Sequence, residues 1–452
     1  MNSSKKISPQ RNTPKDLVKC IGLLVAILLA ASLTNDLLWN GEARLALDRY
    51  VPTMPQPFAD LKILLEGCDT YAHSGWASFW DQVDYAGLQY NYPRWWAMIG
   101  RIGVGVNHLK PLSFVLLVVY AICVLTIIWF VAGWKERLGV VLLAGSPASV
   151  LALERANSDI IILFFSSVVL WSGYITSSRR QFRSYIFVLF GFSIIIAIKL
   201  YPLFLIFALA TLCVGLERKY FIALIAATTI GLMALAIDLR EIFSRTQQMG
   251  PASYGVRTIS LYLHEAKTPN WPISINIGRD ALAHCVNFLL YGVAVAFLTW
   301  RALIHGKKLT LAPEASFCEA GSAEGIVRYF GYAGLSIYCG TFLMGISFNY
   351  RLIFQLMALP LLFSNHAPRR MRVAYVLLLI LAYLWAVPRG ISGFRVPAIL
   401  ASWALYFIYA DFLAQEFFRG WRTMRKTAHF AADDSGVRRV QGCANSFLSA
   451  PR

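Results

Sequence analysis

Twelve apolar runs dominate this chain, and they constrain its fold more than any other feature. They lie near residues 17–38, 112–133, 138–150, 160–176, 185–198, 201–215, 220–237, 281–300, 329–346, 352–363, 373–387 and 396–413. A helix of about 20 apolar residues crosses the hydrocarbon core of a bilayer, and 57% of the 452 residues are hydrophobic whereas 15% are charged. The sequence therefore predicts an all-α polytopic membrane protein with about twelve transmembrane helices. Several runs are short, which favours helices that end at an internal cavity.

The formal net charge of +18 is typical either of a nucleic-acid-binding surface or of a membrane topology signal. If the N-terminus is cytoplasmic and the runs alternate, 26 basic residues fall on the inner side and 16 on the outer side. An excess of basic residues in cytoplasmic loops is the positive-inside pattern. We therefore expect a multi-pass protein of a bacterial cell membrane, with both termini cytoplasmic and no nucleic-acid partner.

One membrane domain accounts for nearly the whole chain. We predict a cytoplasmic tail at 1–16, a membrane domain at 17–418 and a basic cytoplasmic tail at 419–452. Two long segments, 39–111 and 238–280, then lie on the outer face. The eight cysteines form no CxxC pair and most fall within apolar runs, so we expect no disulfide framework and no metal site.

The first outer segment alternates aromatic and aliphatic residues with carboxylates. Residues 60–67 read as a short amphipathic helix that Gly67 ends, because glycine commonly follows the last helical residue. Residues 76–84 read as a second such helix. Both are expected to lie on the membrane surface, where tryptophan and tyrosine are enriched.

Ionisable residues stand at the predicted outer ends of several spans. Charge at membrane depth is expensive unless it lines a wet cavity or meets a partner. The clusters are Asp60 with Glu66 and Asp69, the motif Glu154-Arg-Ala-Asn157-Ser-Asp159, the motif Lys199-Leu-Tyr-Pro202, Arg257 with His264, and Asn349-Tyr-Arg351. A basic set of Arg155, Lys199, Arg257 and Arg351 beside a carboxylate indicates a site for a phosphate-bearing substrate with a general base. Structural ion pairing within the Glu154 motif is the alternative.

In order and spacing, these motifs resemble a known family. The matching residues are Asp60, Gly67-Cys-Asp-Thr-Tyr71, Tyr92-Pro93, the Glu154 motif and the Lys199 motif. They are similar to glycosyltransferase family 87, the polyprenyl-phosphate-mannose-dependent mannosyltransferases of the GT-C class. The resemblance covers roughly residues 50–210 and extends beyond them only through hydropathy and Asn349-Tyr-Arg351. The chain departs from the family pattern at Thr70 and Arg94, where proline is common.

The resemblance implies a GT-C-like integral membrane glycosyltransferase without a cofactor or metal. Such an enzyme moves a hexose, here mannose, from a polyprenyl-phosphate donor to a lipid or glycan acceptor on the outer face, with inversion. It implies Asp60 as the general base and Arg155, Lys199 and Arg351 as ligands of the donor phosphate. Tyr92, Asn157 and Asp159 complete the predicted substrate-binding set, together with Arg257. Spacing leaves other candidates for the base, namely Asp36, Glu66, Asp69 and Asp84.

Two other functions fit the same hydropathy. A membrane polysaccharide polymerase would use outer arginines without an aspartate base. A transporter or flippase of a lipid-linked anionic solute is the other alternative, although such proteins usually contain two related halves with paired broken helices. The sequence shows no such pairing.

Overall fold

The computed structural model is helical. It describes residues 18, 22, 58–76, 79–81, 90–131, 133–213, 216–245, 253–259, 279–307, 323–344, 347–364, 367–384 and 396–419. The helices are α1 (Ala59–Ser74), α2 (Arg94–Ala97), α3 (Leu109–Phe130), α4 (Trp134–Ala144), α5 (Pro147–Glu154), α6 (Asp159–Ser178), α7 (Phe182–Ile198), α8 (Ile206–Cys213), α9 (Arg218–Arg245), α10 (Arg279–Lys307), α11 (Ala323–Leu343), α12 (Leu359–Leu362), α13 (Arg369–Leu384) and α14 (Val396–Arg419). Two-residue strands, β1 (Ser253–Tyr254) and β2 (Ser347–Phe348), pair antiparallel.

Five described helices are long and apolar enough to cross a membrane. They are Val106–Phe130, Asp159–Ser178, Arg218–Ile242, Cys285–His305 and Val396–Arg419. The pair Glu136–Ala144 and Pro147–Glu154, bent by 45°, makes a sixth candidate. The prediction of a helical chain with several candidate membrane spans is confirmed, whereas the described residues show five or six such spans and not the predicted twelve.

Helix breaks inside the bundle have local causes. Between α4 and α5, Ser146 caps the new helix and accepts a hydrogen bond from the Ser149 amide, while Pro147 occupies its first turn. Between α7 and α8, Pro202 lies in the first turn of a 3₁₀ helix at Tyr201–Leu205. Since proline lacks an amide hydrogen, it interrupts a continuous helix. These breaks leave helix ends inside the bundle, where loop side chains can meet.

The buried core extends over most of the described helices, and within it α11 packs against a 3₁₀ helix at Asn349–Met357. Gln355 on that 3₁₀ helix donates to the carbonyl of Gly334 at 2.9 Å. The strand pairing draws residues 253–254 to the same region, because the Tyr254 ring stacks on Tyr338 at 5.1 Å. Arg351 therefore begins a buried element instead of a mobile loop.

The first outer segment differs from its prediction. Helix α1 passes through Gly67 and ends only at Gly75, which has a φ of 66°. Gly67 is instead a packing position, because a Cβ there would clash with the buried ring of Tyr90. Residues on most sides of α1 are buried, so the prediction that it lies as an amphipathic helix on the membrane surface is wrong. Within 76–84, the structure describes a 3₁₀ turn at Phe79–Asp81.

Other predicted boundaries move or fall outside the described residues. Helix α9 continues past Asp238 to Arg245, so the predicted boundary at residue 238 lies within a helix. The apolar run at 17–38 lies outside the described residues apart from Val18 and Gly22, which are both helical. His264 and the tail beyond Arg419 also lie outside them.

Candidate active site

A tight turn between α5 and α6 supplies three of the predicted site residues. Ala156 in this turn has a φ of 46°, a left-handed conformation that is uncommon for residues other than glycine. The Asn157 amide closes the turn on the Ala152 carbonyl at 2.9 Å. The turn aims the side chains of Arg155 and Asn157 at α1, and Asp159 begins α6. Strained backbone of this kind is concentrated at functional sites.

The start of α1 is attached to the end of α5 through the backbone. Phe58 has a φ of 57°, and its amide donates to the Glu154 carbonyl at 2.9 Å. The Asp60 amide donates to the Arg155 carbonyl at 3.2 Å. Asp60 consequently lies in the first turn of α1, where the helix dipole favours a negative charge.

The buried Asp60 carboxylate accepts hydrogen bonds from two neighbouring side chains. Arg155 donates through Nε to Oδ2 at 2.9 Å and through Nη2 to Oδ1, which is the bidentate arrangement that arginine makes with carboxylates. The Nδ2 of Asn157 donates to Oδ2. The ion-pairing alternative therefore describes Arg155, and the carboxylate that it engages here is Asp60.

Asp159 forms a second group directly beside the first. Its side chain is 0% exposed, and its Oδ1 accepts from Lys199 Nζ and from the Tyr201 hydroxyl, both at 2.5 Å. Arg351 Nε lies 3.5 Å from Oδ2. The Asp159 amide donates to Oδ1 of Asn157 at 2.8 Å, so Asn157 links the Asp60 carboxylate to the backbone of Asp159. We call the whole set the Asp60/Asp159 network.

Lys199 reaches this network because α7 stops one residue before it. Its backbone is extended, with φ −161° and ψ 138°, and its Nζ also donates to Ser158 Oγ at 2.7 Å. The Nζ lies 5.1 Å from the ring centroid of Tyr92, close enough for a cation–π interaction. Burial lowers the pKa of Lys199 below its ordinary value, and the negative charge of Asp159 acts in the opposite direction.

Within the hydrogen bonds and ion pairs given above, the network contains one more cation than it has carboxylates. Arg155, Lys199 and Arg351 stand against Asp60 and Asp159, and their side chains are mostly buried. Ionised groups out of water need compensating charge. The arrangement can therefore hold one additional negative charge, such as that of a phosphodiester, beside a carboxylate.

The structure brings together all but one of the predicted site residues. Asp60, Tyr92, Arg155, Asn157, Asp159, Lys199 and Arg351 belong to one set of contacts. Arg257 is not part of the hydrogen bonds and ion pairs given above, and it interacts electrostatically with Tyr291 of α10. Its segment nevertheless follows β1, which pairs with the strand before Arg351.

The competing carboxylates have other contacts. Glu66 lies 3.7 Å from Lys62, and Asp69 accepts from the Val106 amide at 2.9 Å. Asp36 and Asp84 lie outside the described residues.

Sequence reasoning missed a nearby ion pair. Arg94 donates to the fully buried Asp238 through its backbone amide at 2.8 Å and through Nε at 2.5 Å. The Arg94 guanidinium also lies 5.0 Å from the Trp76 ring. The pair fastens α2 to α9 and so positions the segment that carries Tyr92. The sequence signal for this pair was Asp238, an acidic residue at the end of an apolar run.

The site offers no ready metal position, since no group of three or more His, Cys, Asp or Glu side chains in the described ranges could hold a metal ion. No family model, curated protein or solved structure matches the chain. Functional inference consequently depends on the network itself.

Proposed function

We propose that the chain is an integral membrane glycosyltransferase. It transfers a hexose, with mannose as the first candidate, from a polyprenyl-phosphate donor to a lipid or glycan acceptor. The supporting observation is that Asp60 and three cations from separate segments form one buried network with a surplus positive charge. A phosphodiester of a sugar and a polyprenol carries one negative charge, which matches that surplus.

The proposal includes a GT-C-like arrangement of about twelve spans, with the site facing the outer side of a bacterial cell membrane. The short apolar helices Phe182–Ile198 and Tyr201–Cys213 support it, since they lie beside the candidate spans. The predicted positive-inside distribution supports the outward orientation.

The reaction forms one bond and breaks one bond at the anomeric carbon. An acceptor hydroxyl attacks that carbon from the side opposite to the phosphate, which inverts the configuration. The hydroxyl proton passes to Asp60, and the electron pair of the broken carbon–oxygen bond leaves with the polyprenyl phosphate. Lys199, Arg351 and Arg155 stabilise the charge that develops on the phosphate, and such stabilisation is strong when the cations are already in place and shielded from water.

Arg155 has a second role in this scheme. In the structure it engages both carboxylate oxygens of Asp60, so the base is masked. A donor phosphate competes for the same guanidinium, because arginine binds carboxylate and phosphate with similar bidentate geometry. Transfer of Arg155 from Asp60 to the phosphate would expose the base only when the donor is bound. Asp60→Asn removes the competing charge, so donor binding should be retained or strengthened.

The test is sugar transfer by purified protein supplied with a radiolabelled polyprenyl-phosphate hexose and a lipid acceptor extract. Asp60→Asn should lower the rate by about 10²- to 10⁴-fold, the usual contribution of a general base, with donor still bound. Glu66→Gln is the matched control, because Glu66 lies on the same helix in a partly exposed pair with Lys62, and it should transfer at the wild-type rate.

The outcomes separate the alternatives. Equal transfer by wild type and by both Asp60→Asn and Asp60→Ala would remove Asp60 as the base, as the polymerase alternative requires, although sugar transfer itself would stand. Donor binding without transfer by the wild type would instead support the transporter or flippase and would remove the glycosyltransferase proposal.

A further inference from the structure

A second group of buried charges lies on α14. Asp411 accepts from Nε of Arg301 and from Nη1 of Arg370. The Nε2 of His305, one turn after Arg301 on α10, lies 2.9 Å from the same carboxylate. These contacts join α10, α13 and α14 at one carboxylate.

Glu416 continues the group one turn and a half further along α14. It accepts from the Tyr332 hydroxyl at 2.7 Å and from Arg419 Nη1 at 2.5 Å. Arg328 interacts electrostatically with Tyr332. Gln415 accepts from Nη2 of Arg370 at 2.6 Å, and Arg370 also interacts electrostatically with Glu416. We call this set the Asp411/Glu416 cluster.

This cluster is distinct from the Asp60/Asp159 network. Helix α6 begins at Asp159 in the network, and its Tyr174 contacts the ring of Tyr329, which is one turn from Tyr332 on α11. Asp159 and Tyr174 are about 22 Å apart along a helix with a rise of 1.5 Å per residue. The two groups therefore occupy opposite ends of α6.

The cluster contains more positive charge than its own carboxylates balance. Arg301 and Arg370 both donate to Asp411, and Arg419 donates to Glu416, so three arginines contact two carboxylates within the described residues. Burial, together with the positive charges of Arg301 and Arg419, lowers the pKa of Arg370 below its ordinary value. The buried Nε of Arg370 has no hydrogen-bond acceptor within the described residues. Arginines that repel one another, together with an Nε that donates no hydrogen bond within the described residues, indicate a position where a further anion can bind.

The position of the cluster at the ends of two candidate spans indicates which kind of anion it binds. Two of the candidate spans, Cys285–His305 and Val396–Arg419, end within the cluster. Lipid headgroups stand at the ends of spans, and basic pockets between helices on the cytoplasmic side bind anionic headgroups. Arg370 is 32% exposed and Arg419 is 49% exposed, so their guanidinium groups can be reached from that side.

We propose that the Asp411/Glu416 cluster binds the phosphate of an anionic lipid headgroup. Arg370 and Arg419 contact the phosphate oxygens, and Asp411 and Glu416 hold the arginines in position. The site is independent of sugar transfer, and it retains the lipid at the end of the protein opposite to the Asp60/Asp159 network.

The experiment measures how much phosphatidylglycerol the full-length protein retains in detergent, by native mass spectrometry, with phosphatidylcholine as the neutral comparison. Wild type should retain phosphatidylglycerol selectively. Arg370→Gln should weaken its retention about fivefold or more, since one basic group at a membrane surface contributes about 1 kcal/mol. Arg372→Gln is the matched control, because Arg372 is exposed and lies on the same helix, and it should leave retention unchanged.

A second variant and a competing anion complete the test. Arg419→Gln, at a half-exposed position, should reproduce the loss if Arg370→Gln does not fold. Equal retention of both lipids by wild type, or equal loss in Arg370→Gln and Arg372→Gln, would overturn the proposal. Displacement of phosphatidylglycerol by millimolar inorganic phosphate would also overturn the lipid as the ligand and leave a site for free phosphate.

Discussion

The Asp60/Asp159 network and the Asp411/Glu416 cluster use the same chemistry but are constructed differently. Each has two carboxylates surrounded by more cations than they need. The network is assembled from helix ends and turns, two of which contain left-handed residues, Phe58 and Ala156. The cluster is assembled from regular helices on which the charged residues are three to five positions apart. The cations of the network are almost enclosed, whereas the arginines of the cluster remain partly exposed. A site that is shielded from water suits a transfer reaction, whereas partly exposed arginines suit the binding of lipid headgroups.

Removing a cation from each region should separate these roles most clearly. Lys199→Met should lower the transfer rate by about 10²- to 10³-fold, because it removes one preorganised charge from the enclosed site. Arg419→Gln should leave the rate within twofold while it weakens lipid retention. Transfer rates of both variants, at saturating donor and acceptor, are the measurement. A large loss of rate in Arg419→Gln would show that the two regions are coupled.

An added methyl group should have opposite effects on α1, which carries Asp60, and on α10, which carries Arg301. Gly67→Ala should destabilise the protein by about 1–3 kcal/mol, because the new Cβ overlaps the buried ring of Tyr90. Gly292→Ala, on α10, meets open space and should be neutral or stabilising by up to about 1 kcal/mol, since alanine favours helix. Unfolding temperatures in detergent measure both. A stable Gly67→Ala would contradict the packing of α1 against Tyr90.

Sequence reasoning located the network better than it located the helices around it. Arg155, Lys199 and Arg351 could be predicted to meet because each of them lies between two apolar runs. The predicted topology places these three positions on the same side of the membrane. The role of Gly67 could not be predicted, because its contact with Tyr90 joins residues that only the tertiary fold brings together. A glycine after an amphipathic run is more commonly a helix end.

The Asp411/Glu416 cluster escaped prediction for a related reason. Asp411 lies within an apolar run and has no basic neighbour in the sequence. Its partners, Arg301 and Arg370, belong to helices that are far away along the chain. Side chains four residues apart on a helix can be paired from sequence, as with Arg301 and His305, but the packing of α10 and α13 against α14 cannot.

Salt should distinguish the exposed charges from the enclosed ones. Raising the salt concentration from about 0.1 M to about 1 M shortens the Debye length from about 10 Å to about 3 Å. Phosphatidylglycerol retention at the cluster should fall severalfold, whereas donor binding at the network should change little. Retained lipid and bound donor, measured at both salt concentrations on the same preparation, test this. An equal effect of salt on lipid retention and on donor binding would show that the charges of the two regions do not differ in how far they are shielded from solvent.

The smallest expected effect concerns backbone strain. Ala156→Gly should stabilise the protein by about 1 kcal/mol, because glycine adopts a positive φ without penalty, and should lower the transfer rate a few-fold by loosening Arg155 and Asn157. Arg180→Gly is the control, because Arg180 has a φ of 54° on an exposed turn after α6. It should give a similar gain in stability with an unchanged rate. A full rate in Ala156→Gly would show that the strain has no role in positioning.

The wide separation of the network residues along the chain has a consequence for biosynthesis. Asp60 and Arg155 can pair as soon as α5 is made, but Arg351 is synthesised almost 300 residues after Asp60. At about 5–20 residues per second, that interval is on the order of 15–60 s. During it, the first carboxylate already has its arginine and asparagine partners, whereas Asp159 still lacks its last cation. A nascent chain would therefore hold Asp60, the proposed base, in a closed ion pair until Arg351, the last proposed phosphate ligand, arrives, and under the proposed function a ribosome-bound fragment that stops before residue 351 should be inactive.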